Sequence, residues 1–262
     1  MTRPGKAAVP ERPDVIRTTV TAPNGKLVDV HRPGTATGPT PLPTVLLWHG
    51  TGPDERDILR PVARAVAGSG ALGALGALVY VPDWRSDAPD AGRAHLLASL
   101  EYARTHAGRH GGDPERIVLA GWSAGAPAAL GLALRPEVVG GWRPAAVVGI
   151  ASRYDLPART TGTPPLSDLA ASGPGIPVPV PVHLVHGTAD TLMGPAYSRA
   201  ARDALMARRW PVELEEIAGA DHAGAIGMEY DPASQRLRPG TDERVRAAGE
   251  QAARTIARAA RA

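Results

Sequence analysis

From residue 44 onward the chain alternates short apolar runs with longer segments of helical period, a rhythm that few folds accommodate. The runs fall at 45–48, 78–81, 117–120, 145–148 and 182–185, with a last one at 212–217. Between and after them, Ala/Arg/Leu-rich stretches near 54–68, 90–109, 124–134, 195–209 and 242–261 repeat their apolar positions at helical spacing. Most of the runs are apolar without alternation, as strands buried on both faces must be. The pattern therefore predicts βαβ units and a parallel sheet with helices on both faces.

Upstream, two alternating segments at 16–20 and 26–30 are separated by Pro23-Asn24-Gly25. Asn-Gly between β-rich stretches supplies the positive φ angles of a tight hairpin, so an antiparallel pair is expected there. Together with the six later runs it makes a mostly parallel eight-stranded sheet with an N-terminal antiparallel hairpin. Residues 1–14 are polar and Pro-punctuated and are read as a flexible tail, with 15–262 as a single domain. The segment 151–181 carries Pro157, Pro164, Pro165, Pro174, Pro177, Pro179 and Pro181. Proline removes backbone donors and disfavours helix at the preceding residue, so this insertion is expected to be mostly loop, a short Pro-rich cap.

Composition narrows the chemistry. The chain has 262 residues, 43% of them hydrophobic and 21% charged, enough for a sizeable core. It has no cysteine, which excludes disulfides, thiolate metal sites and a cysteine nucleophile. His106 and His110 stand at helical spacing but lack an intervening Glu and a third ligand, so they read as a solvated helix end and no metal is expected. The formal charge is only +3 and no block of five like charges occurs, which argues against a nucleic-acid partner. No apolar stretch reaches the ~18 residues of a membrane span, and the N-terminus lacks a signal-peptide core. A cytoplasmic protein is expected, with no membrane partner.

The sharpest local signal is Gly121-Trp122-Ser123-Ala124-Gly125, directly after one predicted strand and directly before a helix. In that context Gly-x-Ser-x-Gly is a nucleophile elbow: the turn strains Ser123 and presents its hydroxyl at the sheet edge, and side chains at 121 and 125 would strike backbone. A serine hydroxyl needs a base to take its proton and an acid to fix that base's tautomer. Both follow in order. Asp190 comes just after the strand at 182–185, and His222 lies in the loop after 212–217. A Gly-rich loop, His49-Gly-Thr-Gly52, follows the strand at 45–48 and can turn backbone N–H groups toward a developing oxyanion, with the amide of Ala124 as a second donor. All four features end strands on one edge of the sheet, where open α/β sheets bind ligands.

These residues resemble the α/β-hydrolase superfamily, most closely its small carboxylesterase-like and dienelactone-hydrolase-like members. The likeness rests on His49-Gly-Thr-Gly52, Val81-Pro-Asp-Trp-Arg85, Asp113 through Gly125, His186-Gly-Thr-Ala-Asp190 and Asp221-His222, and covers roughly residues 40–260. It implies ester hydrolysis through an acyl-enzyme on a small-molecule ester or acyl substrate, with no cofactor. Ser123 is then nucleophile, His222 base and Asp190 acid, with oxyanion donors from Gly50, Thr51 and Ala124. Esterases and lipases usually carry His-Gly-Gly-Gly and Asp-Tyr-Arg where this chain has His-Gly-Thr-Gly and Asp-Trp-Arg. Thioesters, formamides or acyl transfer are alternative uses of the same triad, and a non-catalytic ligand-binding homologue is a further one.

Each residue also has a plainer reading. Ser123 alone could cap a helix. Asp155, after the run at 145–148, is an alternative acid, with Asp190 then a turn residue. Asp221 is read as a turn former, His49 as a structural loop residue, and His183 and His186 as core or surface positions. Trp84 and Trp122 are candidate walls of a substrate pocket, with core packing, shared with Trp48, as the competing role.

Overall fold

The computed structural model describes residues 15–34, 40–68, 76–171 and 177–262; the expected N-terminal tail, 1–14, lies outside them. The hairpin forms where the Asn-Gly signal lies, from β1 (Val15–Thr21) and β2 (Leu27–Pro33), but of that pair only Gly25 takes a positive φ, 78°, so the turn is not the two-residue one expected. The remaining strands are β3 (Leu42–Trp48), β4 (Leu78–Pro82), β5 (Gly112–Trp122), β6 (Ala146–Ile150), β7 (Val182–Gly187) and β8 (Val212–Ile217). They make one eight-stranded sheet in the order β1-β2-β4-β3-β5-β6-β7-β8. β2 pairs antiparallel with β1 and β4, and every other neighbouring pair is parallel.

Helices α1 (Arg60–Ala67) and α6 (Glu243–Arg261) cover one face of this sheet; α2 (Arg93–His106), α3 (Gly125–Leu134) and α5 (Ala196–Ala207) cover the other. The strands show why their sequences do not alternate. Leu46 and Trp48 enter the core beneath α2 and α3, whereas Val45 and Leu47 enter the core beneath α1 and α6. Both faces are apolar because both are covered. The chain leaves β3 toward β4 on one side, and β5 lies on the other, so the ends of β3 and β5 flank the switch point of the sheet. That is the crevice in which such sheets bind ligands.

Two elements depart from expectation. The Pro-rich insertion contains a helix, α4 (Pro165–Ala171), because Pro165 stands at its first position, where the missing N–H has no intrahelical partner. The insertion's described residues lie along α3: Thr160 Oγ1 donates to the Ala128 carbonyl at 2.8 Å, and a Cβ at Gly131 would stand 3.1 Å from Ala158. Residues 172–176 of the insertion lie outside the described ones. After β8, an antiparallel pair, β9 (Met228–Asp231) and β10 (Arg236–Pro239), was not anticipated, since four-residue strands carry too little alternation to stand out.

Candidate active site

Ser123 occupies the tip of the turn between β5 and α3 at φ 53°, a left-handed conformation that costs a non-glycine residue about 1–2 kcal/mol. The turn is held from several sides. Ser123 N–H donates to the Ile150 carbonyl at 2.9 Å, and its own carbonyl accepts from Ala126 N–H at 3.0 Å and from Ser152 Oγ at 2.8 Å. The flanking glycines answer to sterics. A Cβ at Gly121 would lie 2.2 Å from the Gly125 carbonyl carbon, and one at Gly125 would lie 2.5 Å from the Trp48 carbonyl oxygen.

The register of β3 against β5 pairs Trp48 with Gly121 and so carries Gly50, two residues later, level with Ser123. A Cβ at Gly50 would stand 2.9 Å from Ser123 Cβ and 2.8 Å from the Trp122 ring, so only glycine fits. His49 shapes the loop from within. Its Nε2 accepts from Glu55 N–H and Trp84 N–H at 3.3 Å each, which leaves the proton on Nδ1, 2.9 Å from the Gly50 carbonyl. Burial pushes the His49 pKa down to about 4, so the ring is neutral. Gly52 N–H is taken by Ser86 Oγ at 3.1 Å. Among the described residues no acceptor takes the N–H groups of Gly50, Thr51 or Ala124. Two of the residues that carry these free donors, Gly50 and Ala124, flank the serine.

On the other side, Asp190 ends the turn after β7 and is buried. Its Oδ1 accepts from Leu192 N–H at 2.9 Å and Met193 N–H at 2.8 Å, and its Oδ2 accepts from His222 Nδ1 at 2.8 Å. That bond places the His222 proton on Nδ1 and leaves Nε2 as a free base. The loop bearing His222 is pinned to the elbow: Trp122 Nε1 donates to the His222 carbonyl at 3.0 Å, and the two rings lie 4.9 Å apart. Among the described residues Ser123 Oγ and His222 Nε2 share no hydrogen bond.

The structure thus brings Ser123 together with Gly50 and joins Asp190 to His222. Trp84, a candidate pocket wall or core residue, has no exposed surface: it stacks on His49 at 5.1 Å and donates from Nε1 to the His49 carbonyl at 3.3 Å. Buried and bonded to His49 in this way, the indole serves as the loop's floor. Trp122, 5% exposed, is a brace between Gly50 and His222 more than a pocket wall. Asp155 is exposed and paired with Arg153 at 2.7 Å, away from His222. Asp221 forms a turn with Gly224 N–H, as expected.

Sequence reasoning missed two supports. Arg56 is clamped between Asp83 and Asp29, 3.3 Å from the latter, which anchors the chain just past the Gly-rich loop to β2 and to the residue that follows β4. His186, a core or surface position by sequence, is buried against Asp190. The spacing of His and Asp at i and i+4 around a Gly turn was the available signal.

No protein-family model matches the chain, and no curated protein is similar to it in sequence. Solved structures do match in fold. A thermophilic esterase from the planctomycete Thermogutta terrifontis, with propionate bound, superposes with a TM-score of 0.67 at 18% identity over 94% of this chain and 93% of that one. A bacterial heroin esterase gives 0.65 at 19% identity over 98% and 87%. An α/β-hydrolase enzyme from a Medee basin deep-sea metagenome library gives 0.66 at 17% identity over 95% and 100%. At such identities the likeness establishes the α/β-hydrolase fold.

Proposed function

From this α/β-hydrolase fold, we propose that the protein is a serine hydrolase cleaving a carboxylic ester of a small or soluble substrate through an acyl-enzyme. The observation that carries the reading is the buried 2.8 Å bond from His222 Nδ1 to Asp190, on a loop pinned beside a strained serine. Ser123 Oγ attacks the ester carbonyl carbon while His222 Nε2 takes its proton, a contact that tightens when substrate fills the site. Asp190 stabilises the imidazolium that forms. The carbonyl oxygen, now carrying negative charge, accepts hydrogen bonds from the amides of Ala124 and of Gly50 or Thr51. His222 then protonates the departing alcohol, and water, activated by the same base, releases the acid. No cofactor enters the cycle.

The substrate class draws support from the neighbours: one is an esterase solved with propionate, a three-carbon acid. A panel of p-nitrophenyl esters of increasing acyl length, run beside thioesters and formamides, tests it. Short-chain esters should turn over best and Ser123→Ala should neither hydrolyse them nor take up a fluorophosphonate label. Absence of labelling in the wild type would overturn the reading, and better turnover of long-chain emulsions would overturn its substrate class.

A further inference from the structure

Asp190 is shared between two imidazoles, and the reaction above uses only one. His186, fully buried near the end of β7, places Nε2 2.6 Å from the Met193 carbonyl oxygen and 3.3 Å from Asp190 Oδ2, the oxygen that also accepts His222. Its Nδ1 lies 2.7 Å from Ser198 Oγ. A carbonyl can only accept, so Nε2 carries the hydrogen and Nδ1 accepts from the Ser198 hydroxyl. Burial holds the His186 pKa below the usual histidine range and keeps the ring neutral.

This arrangement restrains the acid in two directions. Met193 is held through the peptide groups on both sides of its Cα, since its N–H donates to Asp190 Oδ1 and its carbonyl accepts from His186. The carboxylate cannot rotate without opening the turn that His186 closes. On the far side, Ser198 Oγ stands 3.4 Å from the Ser152 carbonyl, and Ser152 Oγ donates to the Ser123 carbonyl at 2.8 Å. With the Ser198 hydrogen given to His186 Nδ1, that 3.4 Å approach sets two acceptors side by side and is a packing contact, so the hydrogen-bonded run behind the acid ends at Ser198.

We propose that His186 is a positioning residue, which holds Asp190 Oδ2 in the orientation that fixes the His222 tautomer. The proposal rests on the triad reading above and gives His186 no contact with substrate. The other charged groups around the pair are already engaged. Asp221 is turned to Gly224 N–H; Arg199 of α5 pairs with Glu216 of β8 at 2.7 Å; Arg153 pairs with Asp155 and covers the Tyr197 ring.

The test is the titration of the His222 imidazole by NMR, which needs no turnover, read beside the pH profile of ester hydrolysis. Taking the N–H away from Asp190 Oδ2 leaves more negative charge facing His222 and favours its imidazolium. His186→Leu should therefore raise the His222 midpoint by about half a pH unit or more. The acid limb of kcat/KM should move up with it, and kcat should fall roughly tenfold to a hundredfold. His186→Gln, whose amide still reaches Met193 and Asp190, should restore most of both. An unchanged His222 midpoint in a folded His186→Leu protein would overturn the proposal. Should that variant fail to fold, His186→Asn, whose shorter amide reaches Ser198 alone, takes its place with the same two outcomes. A shifted midpoint in a protein whose wild type hydrolyses no ester would sustain the coupling and overturn the hydrolase reading, so the two fail separately.

Discussion

The two halves of the site are built on different physics. The half formed by β3 and β5 is set by close approach of backbone: Gly50, Gly121 and Gly125 each stand where a Cβ would come within 3 Å of a neighbour. Its amides are left free. The half formed by β7 and β8 is set by polar side chains, with Asp190 accepting from two amides and His222 while His186 stands 3.3 Å away. The donors that face Asp190 are used. The contrast teaches where a perturbation will register: in the first half as lost shape and stability, in the second as altered protonation.

The largest effects strike where the halves meet. Ser123→Ala removes the proposed nucleophile without adding volume, and kcat should fall by on the order of 10^6 while far- and near-UV circular dichroism stay unchanged. Asp190→Asn keeps the shape of the second half but presents an NH2 group where His222 needs an acceptor. The imidazole then loses its tautomer, and a loss on the order of 10^4 in kcat is expected at neutral pH. Comparable rates for Asp190→Asn and wild type would break the assignment of this half to acid–base work.

A purely steric probe of the first half is Gly121→Ala. The added methyl meets the Gly125 backbone at 2.2 Å, and backbone in a turn already strained at Ser123 has little room to yield. A loss of more than about 3 kcal/mol is expected, seen as a fall in Tm of roughly 6–12 °C, without movement of the acid limb of the rate profile. An equal loss that does move the limb would mean the two halves are less separable than their contacts indicate.

The same division explains what the sequence could disclose. Glycine spacing and apolar runs are local, so the hairpin, the strands that end at Trp48, Trp122 and Gly187, and the elbow around Ser123 could be read from the chain. Asp190 and His222 followed because each closes a strand. What stayed hidden depends on packing between distant segments. The role of Trp84 as the floor under His49, the clamp on Arg56 and the contact of His186 with Asp190 arise only when β2, β4 and β7 have been assembled. Helix α4 was masked by its own prolines, which start that helix where the general rule would have them forbid it.

Protonation of buried histidines also bears on stability. Burial depresses the pKa of both His49, in the oxyanion loop, and His31, on β2, to about 4. Each is neutral when folded, whereas in the unfolded chain it takes up a proton near pH 6.5. The unfolded state thus binds more protons as the pH falls, so the stability these residues carry is complete above about 6.5 and is lost as the pH falls toward 4. Each contributes on the order of 2–3 kcal/mol to that loss at its lower limit. Urea unfolding at pH 7 and 4.5 should show it, and His31→Gln, away from the site, should flatten the dependence while leaving the activity profile in place. A dependence as steep in His31→Gln as in wild type would remove His31 from the account.

The smallest effect is expected at the other candidate acid. Asp155 follows β6, one strand away from Asp190, and in sequence it is as well placed to end a strand with a carboxylate. In space it is 40% exposed and held by Arg153 at 2.7 Å, which lowers its pKa through a hydrogen-bonded ion pair. An exposed pair of this kind is worth about 0–1 kcal/mol. Asp155→Asn should therefore change kcat by less than about threefold and leave the acid limb where it is. If it instead matched the collapse expected of Asp190→Asn, the acid would have to reach His222 from β6, and the buried bond between His222 and Asp190 would be a structural tie. Measuring the two substitutions side by side decides which strand end supplies the carboxylate, since only one can hold the His222 proton on Nδ1.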